Sequence, residues 1–489
     1  MKNLNCTNIA LAQTLPTKVI QFGGGNFLRA FVDWAIQLMN EKSDFGAGVA
    51  VIKPTKNGNY DLLKNQDGLF HVILKGFYKG KDVNESKLIT CVNQVINPYE
   101  NWQDYIQLAE NPDIRFVISN TTESGIVFEP EVWDENKSPK SFPAKLTAFL
   151  YHRYQFFQGD ADKGMVILPC ELINHNAEEL KKIILQYTRL SQLDIGFIKW
   201  LENHNVFCNT LVDRIVPGYP KNNAVQIQNE IGFEDDLLVE SEPYFLWVIE
   251  APLHVRDEFP ADKAGLNVIF TEDLQVYRTL KVRILNGAHT AMVPVALLWG
   301  IDTVKETIEH EKVGKFIHNA IFEEIIPVLE LPQNELEQFA NDVLDRFRNP
   351  FIKHYLSSIA LNSFSKFETR VLPTIFDYQR LKGKLPKHLI FSFASLILFY
   401  KKEYGGREMP INDEPKVVKT LQQAWKQYDG TQESIEKVID IAFGLEDIWK
   451  QNLNGHKALR NAVVTQLAEI LSEGFQKTLG ENQLIHLNL

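Results

Sequence analysis

The stretch from residue 17 to residue 39 restricts the fold more than any other. Thr17-Lys18-Val19-Ile20-Gln21-Phe22-Gly23 has the short apolar run of a buried strand. Gly24, Gly25 and Asn26 follow. From Phe27 to Met39 the apolar residues Phe27, Phe31, Trp34, Ala35 and Leu38 recur at helical spacing. Val49-Ala50-Val51-Ile52 then supplies a second strand where a βαβ unit places it. A strand, glycine turn, helix and strand in that order predict a parallel sheet covered by helices. The fold class expected is therefore α/β and Rossmann-like in the N-terminal part.

The glycine turn also suggests a site. Glycines let a backbone turn tightly and approach a pyrophosphate, and the N–H groups of the first helical turn then face the anion. Phe22, Gly23, Gly24, Gly25, Asn26, Phe27, Leu28 and Arg29 are the candidate cofactor contacts, with Arg29 able to add a charge. The GxGxxG fingerprint is incomplete, because Leu28 stands where its third glycine belongs. On spacing alone, a glycine turn without a ligand accounts for the stretch equally well. The second strand ends in Lys53-Pro54-Thr55 rather than the Asp or Glu that binds the ribose hydroxyls of NAD, so NAD versus NADP stays open here.

The alternation continues through Phe70–Leu74, a helix near 102–108, and a strand at Arg115–Ser119 that ends in Asn120, Thr121 and Thr122. Ligands in open α/β sheets sit at the carboxyl ends of strands, so Asn120 and Thr121 are candidate cofactor contacts; ordinary turn chemistry explains them as well. A helix near 143–157 leads to a strand at Met165–Leu168. Its end carries Glu171 and, further on, Asn176, a candidate cap for a helix from about 177. Residues 224–270 read as short strands and loops. Beyond about residue 275 helical periodicity takes over, with segments at 279–300, 303–310, 313–330, 334–346, 350–364, 387–403, 415–427, 431–443 and 457–478. A chain of 489 residues is too long for one ordinary core. The division expected is 1–274 for the Rossmann-like domain and 275–489 for a mostly α-helical domain.

Composition narrows the function. The net charge of -11 argues against a nucleic-acid surface. Cys6, Cys91, Cys170 and Cys208 are far apart, which suits a reducing cytoplasm. The first residues carry no apolar signal core. The longest apolar run, Leu389 to Tyr400, is too short to span a bilayer and reads as a buried helix, so no membrane partner is expected. Helical faces in the second half leave the oligomeric state open.

One polar set interrupts an apolar segment: Lys281, Asn286 and His289, at spacings of five and three. In a regular helix Asn286 and His289 lie side by side, with Lys281 offset by about 140° from Asn286 and about 80° from His289. Oxidising a secondary alcohol needs a base for its proton and donors for the developing oxyanion. A buried lysine, its pKa lowered by desolvation, serves as that base and as the acid in reverse. Asn286 and His289 can hold the oxygen. A snorkelling lysine, a structural asparagine and a core histidine are the competing account from these residues alone. Gly287 suggests close approach of a ligand or another backbone.

Lys281-x4-Asn286-x2-His289, together with Gly23-x-Gly25-x-Phe27-x-Arg29-Ala30, resembles the polyol-specific long-chain dehydrogenase/reductase family, the mannitol dehydrogenase group. Gln66–Phe70, Thr122-Glu123-x-Gly125, Val212–Ile215 and Arg346–Pro350 match as well, so the resemblance covers nearly the whole chain. It implies a metal-independent oxidoreductase with Lys281 as acid/base. Gly25–Trp34, with Phe27-Leu28-Arg29-Ala30-Phe31-Val32 in place of FHRAHQ, resembles the branch that interconverts a hexuronate and an aldonate. The implied reaction is NADH-dependent reduction of D-tagaturonate to D-altronate in galacturonate breakdown. A fructuronate reductase or a mannitol-type 2-dehydrogenase is the sibling alternative; a dinucleotide-binding regulator without chemistry would be free to lose Lys281, Asn286 and His289. Two positions depart from the family. Leu172 stands where many members have asparagine, so the oxyanion role carries over only to Asn176. Ser358 stands where mannitol dehydrogenases are basic. Lys366, Arg370 and His354 are the candidates for binding the uronate carboxylate.

Overall fold

The structure is a computed structural model that describes residues 1–9, 14–131, 134, 136–351 and 353–484. It divides into two compact units, residues 1–76 with 82–277, and residues 77–81 with 278–489.

The first unit is built on a six-stranded sheet. Its strands are β1 (Thr17–Phe22), β2 (Gly48–Ile52), β3 (Val92–Ile96), β4 (Phe116–Ser119), β5 (Val166–Pro169) and β6 (Val206–Phe207). Their spatial order is 3-2-1-4-5-6 and every neighbouring pair is parallel. That is the doubly wound dinucleotide-binding order. Both faces of the sheet are buried, which is why the strands read as continuous apolar runs. Val19, Val49, Phe116 and Val166 enter one core. Ile20, Ala50, Val117 and Ile167 alternate into the other. The first core is covered by the helix that follows the glycine turn, the second by helices including Phe142–Phe156 and Asn176–Leu190.

Two expectations need correction in this unit. Phe70–Tyr78 is a strand, but it belongs to a separate sheet with Lys81–Ile89 and Val239–Ser241; the third strand of the main sheet is β3. The stretch 224–270 also holds two helices, Ala224–Ile231 and Leu253–Glu258. The first of these ends in a left-handed Gly232, an ordinary helix stop.

The second unit is helical. Gly287–Trp299 and Lys387–Phe399 pack on each other and are buried almost throughout. The Ser392 hydroxyl donates to the Ala291 carbonyl at 2.8 Å and ties the pair. The long apolar run is thus a core helix, as its length implied, and no described helix is long and apolar enough to cross a membrane. The single helix expected over 350–364 is not formed. The chain instead makes a short helix, Leu356–Ile359, a left-handed turn at Asn362, and then Ser363–Arg370 and Leu372–Lys382. Pro350 and the Asn362 turn break the helical register that periodicity suggested; Ile352 lies outside the described residues.

Candidate active site

The glycine turn follows β1 directly. Gly23 adopts φ +120°, a conformation only glycine takes readily, and a Cβ there would lie 2.7 Å from Leu28 Cδ1. The fingerprint's missing third glycine is thereby explained: Leu28 packs into the space that Gly23 leaves. The Gly24 N–H donates to the Tyr60 hydroxyl at 2.9 Å. A Cβ at Gly25 would meet nothing within 4 Å, and no side chain caps the helix that starts at Asn26. Open space therefore lies before an uncapped helix end, which is what an anion needs.

The candidates of this turn play different parts. Phe22 and Leu28 are buried in the core and can offer a ligand only backbone. Arg29 is 6% exposed and faces inward. It donates to Asn26 Oδ1 at 2.7 Å and to the Leu237 carbonyl. Arg29 therefore orients Asn26 beneath the turn rather than offering its charge to a ligand. After it, Arg29–Asp33 forms a π-helical turn, and Arg214 donates to the Ala30 carbonyl at 2.7 Å. A side chain inserted into the helical ladder is a known cause of such a bulge.

Asp33, the last residue of this turn, is fully buried, with Gln21 Nε2 3.4 Å from its carboxyl. Burial pushes its carboxyl up to about 7, against the opposing effects of the Gln21 hydrogen bond and the Arg29 charge. A carboxyl raised on folding binds more protons in the native state, so its contribution falls as pH rises from the unfolded value toward the folded one. Asp33→Asn is expected to stabilise the chain at pH 8 by up to about 4 kcal/mol and to leave it near the parent at pH 4. Urea unfolding midpoints at the two pH values check this; a gain that is the same at both would reject the buried-acid account.

At the end of β4, the Asn120 amide donates to the Cys170 carbonyl at 2.7 Å. Glu171 is buried and accepts from Ser119 Oγ at 3.0 Å and from both the N–H and Oγ1 of Thr121 at 2.9 Å. Burial raises its pKa against these hydrogen bonds. Glu171 thus fixes the loop that carries Asn120 and Thr121, next to Thr122 with a left-handed φ of +77°.

Asn176 does not support the oxyanion role. It is 0% exposed. Its Nδ2 faces the carbonyls of Pro169, Glu171 and Thr210 at 2.9–3.2 Å, and its Oδ1 accepts from Ala177 and Thr210 N–H groups at 3.0 Å. The amide is fully engaged in joining strand ends to a helix start, and no group remains for a substrate.

In the second unit, Lys281–Asn286 is a π-helical turn between the helices Leu274–Leu280 and Gly287–Trp299. The Gly287 N–H donates to the Val282 carbonyl, five residues back. This corrects the regular helix assumed above. In a π turn residues five apart sit one turn on from each other, so Lys281 and Asn286 come toward a common face instead of standing about 140° apart. Arg283 anchors the turn through Thr374 Oγ1 at 2.7 Å and Asp377 at 3.1 Å. A Cβ on Gly287 would lie 3.1 Å from the Arg370 carbonyl, so the glycine admits another backbone.

His289 follows on the next turn. Its ring stacks on Phe347 at 4.2 Å and meets His354 edge-on at 5.0 Å. The ring is half-buried, but its Nε2 is closed off from solvent and has no hydrogen-bond partner among the described residues. Burial drives the imidazole well below its usual pKa, and the charges of His354, Arg346, Arg370 and Lys366 add to that. The ring is therefore neutral at physiological pH. Lys366 and Arg370, four apart on the helix Ser363–Arg370, present like charges on one face, an unfavourable pairing without an anion. Burial and Arg370 lower the Lys366 pKa. Lys366 donates to the Ile359 carbonyl at 2.9 Å. Arg370 lies 3.5 Å from Thr290 Oγ1, a long contact. His354, its pKa lowered by burial and Arg346, completes the cluster. Ser358 is exposed on its short helix.

Residues 17–263 match the mannitol dehydrogenase Rossmann domain, and residues 273–471 match the mannitol dehydrogenase C-terminal domain. The chain belongs to the mannitol dehydrogenase family. It is accordingly an oxidoreductase. Among its relatives is the altronate oxidoreductase of Bacillus subtilis, 45% identical and covering 95% of each chain. That of Phocaeicola vulgatus is 46% identical over 98% of this chain and 99% of its own. The fold is that of a D-sorbitol dehydrogenase in substrate-free form, with a TM-score of 0.74 at 20% identity and 95% of each chain covered. It is also that of Pseudomonas fluorescens mannitol 2-dehydrogenase, solved as a ternary complex with NAD and D-mannitol. There the TM-score is 0.59 at 22% identity, with 96% of this chain and 94% of the other covered.

Members of the mannitol dehydrogenase family with a Rossmann domain use a nicotinamide dinucleotide, and the turn at Gly23–Asn26 fits its pyrophosphate in open space and uncapped helix end. Arg346 and Phe347 show no role in the sequence pattern, although both stand in the family-matching segment Arg346–Pro350. Glu171 shows none either, although its position just after β5 is a signal for one.

Proposed function

We propose that this chain catalyses the NADH-dependent, reversible reduction of D-tagaturonate to D-altronate. The observation that carries the reading is the like-charged pair Lys366 and Arg370, four apart on one helix, with Arg370 3.5 Å from Thr290 Oγ1. A uronate carboxylate is an anion that this like-charged pair suits. The names of the relatives, altronate oxidoreductases near 45% identity, support the same substrate pair.

The first unit supplies the dinucleotide cradle, and the bound dinucleotide provides the hydride. The residues of the second unit handle the proton and the oxygen. In reduction, the Lys281 ammonium gives its proton to the oxygen that becomes the hydroxyl; in oxidation, its amine takes that proton back. Asn286 offers an amide N–H to the same oxygen. The neutral His289 ring has one N–H to offer to that oxygen. Lys366 and Arg370 take the carboxylate, with Arg370 best shaped for two hydrogen bonds.

Steady-state rates with tagaturonate, fructuronate and fructose, each with NADH and with NADPH, test the reading. The expected kcat/KM for tagaturonate with NADH exceeds the others by about 10-fold or more. Comparable rates with fructose would remove the carboxylate from the recognition, and a preference for NADPH would give Lys53 the 2′-phosphate.

A further inference from the structure

Lys145 is a buried charged residue outside the site described. It lies on the helix Phe142–Phe156 and is 0% exposed. Its Nζ donates to the Pro54 carbonyl at 3.0 Å, the Lys140 carbonyl at 2.9 Å and the Tyr99 hydroxyl at 2.7 Å. All three ammonium donors are thus satisfied, and none of the acceptors is a carboxylate. Nζ also lies 4.5 Å from the Tyr99 ring centroid. Burying an ammonium against neutral acceptors is costly, so its retention calls for a reason. Burial brings its pKa down to about 7, only partly countered by Glu131.

The reason lies in what the three acceptors join. Pro54 follows β2, whose end reads the adenosine ribose in doubly wound folds. Tyr99 lies in the turn after β3, and Lys140 in the loop before Lys145's own helix. Lys53 is itself pinned by its N–H to the Ile96 carbonyl at 3.0 Å. The segment 53–56 has no acidic residue to bind ribose hydroxyls, so its backbone must be held in place for any contact it makes.

We propose that Lys145 is a positioning residue for the dinucleotide: its buried ammonium fixes the Lys53–Pro54 strand end that receives the adenosine ribose. The inference rests on the reading of the first unit as the dinucleotide site.

The test is calorimetric titration of the full chain with ADP-ribose and with NADH, joined to steady-state kinetics. Lys145→Met is expected to weaken ADP-ribose and NADH binding by about 10- to 100-fold. The loss should fall on KM for NADH, with kcat at saturating NADH nearly retained. Thr147→Val serves as a control, because it disturbs a buried contact of the same helix, to the Pro143 carbonyl, without reaching the strand end. Equal weakening in that control would reduce Lys145 to a general helix contact and overturn the proposal. If Lys145→Met does not fold, Tyr99→Phe decides on the same titration by removing one acceptor, and unchanged ADP-ribose affinity in it overturns the proposal. A parent chain that binds neither ADP-ribose nor NADH would instead fail the dinucleotide reading itself.

Discussion

Lys281→Ala is expected to lower kcat by about 10²- to 10⁴-fold, the usual worth of a positioned general acid or base, with NADH affinity unchanged. The reasoning starts from the π turn. Lys281 and Asn286 open and close that turn, and His289 follows on the next one. The proposed proton donor and the two proposed oxygen-holding groups thus come from nine consecutive residues on an element that Arg283 anchors. The proposed dinucleotide cradle at Gly23–Asn26 is made by other residues, so NADH affinity is the control that should hold. Two measurements separate this role from a structural one. Single-turnover reduction should slow as much as steady-state turnover, because the lost step is the chemical one. Small primary amines added to the Lys281→Ala variant should restore part of the rate, whereas they would do nothing for a damaged fold. Normal turnover in the variant removes Lys281 from the mechanism.

The parts of this site differ in how far they could be read from sequence, and the difference has a physical basis. The βαβ unit was legible because burial on both sheet faces forces apolar runs, and the glycines mark a conformation and a space. The cluster chemistry was legible as residue types: Lys281, Asn286, His289, Lys366, Arg370 and His354 all fall in the second unit. Their geometry was not. A π turn changes no residue type and shifts only the hydrogen-bond partner by one, so periodicity assigned Lys281 the wrong offset. Asn176 fails for a related reason. An asparagine at a strand end has the same appearance whether its amide faces a substrate or, as here, the carbonyls and N–H groups of three neighbouring segments. Arg29 likewise looks like a phosphate ligand in the motif. Only the positions of Asn26 and Leu237 reveal that it points the other way.

Arg370→Met is expected to cut kcat/KM for tagaturonate by about 2–5 kcal/mol, the usual loss when one partner of a desolvated charge pair is removed. The loss should be specific to charged substrates. Lys366→Met should act in the same direction with a smaller effect, since an ammonium makes no planar two-point contact with a carboxylate. Arg370→Lys should recover only part of the loss for the same reason. The cluster offers a second readout that does not depend on turnover. His289 is held well below its ordinary pKa by burial first and then by surrounding positive charge, Arg370 included. Removing Arg370 takes away one of those charges, so the His289 titration followed by NMR should move upward. A bound carboxylate should move it in the same direction in the parent chain, by neutralising the cluster, and less in Arg370→Met, where less carboxylate binds. If tagaturonate left the His289 titration unmoved while still being reduced, its carboxylate would lie elsewhere, and the cluster would have to be reassigned to the sugar hydroxyls.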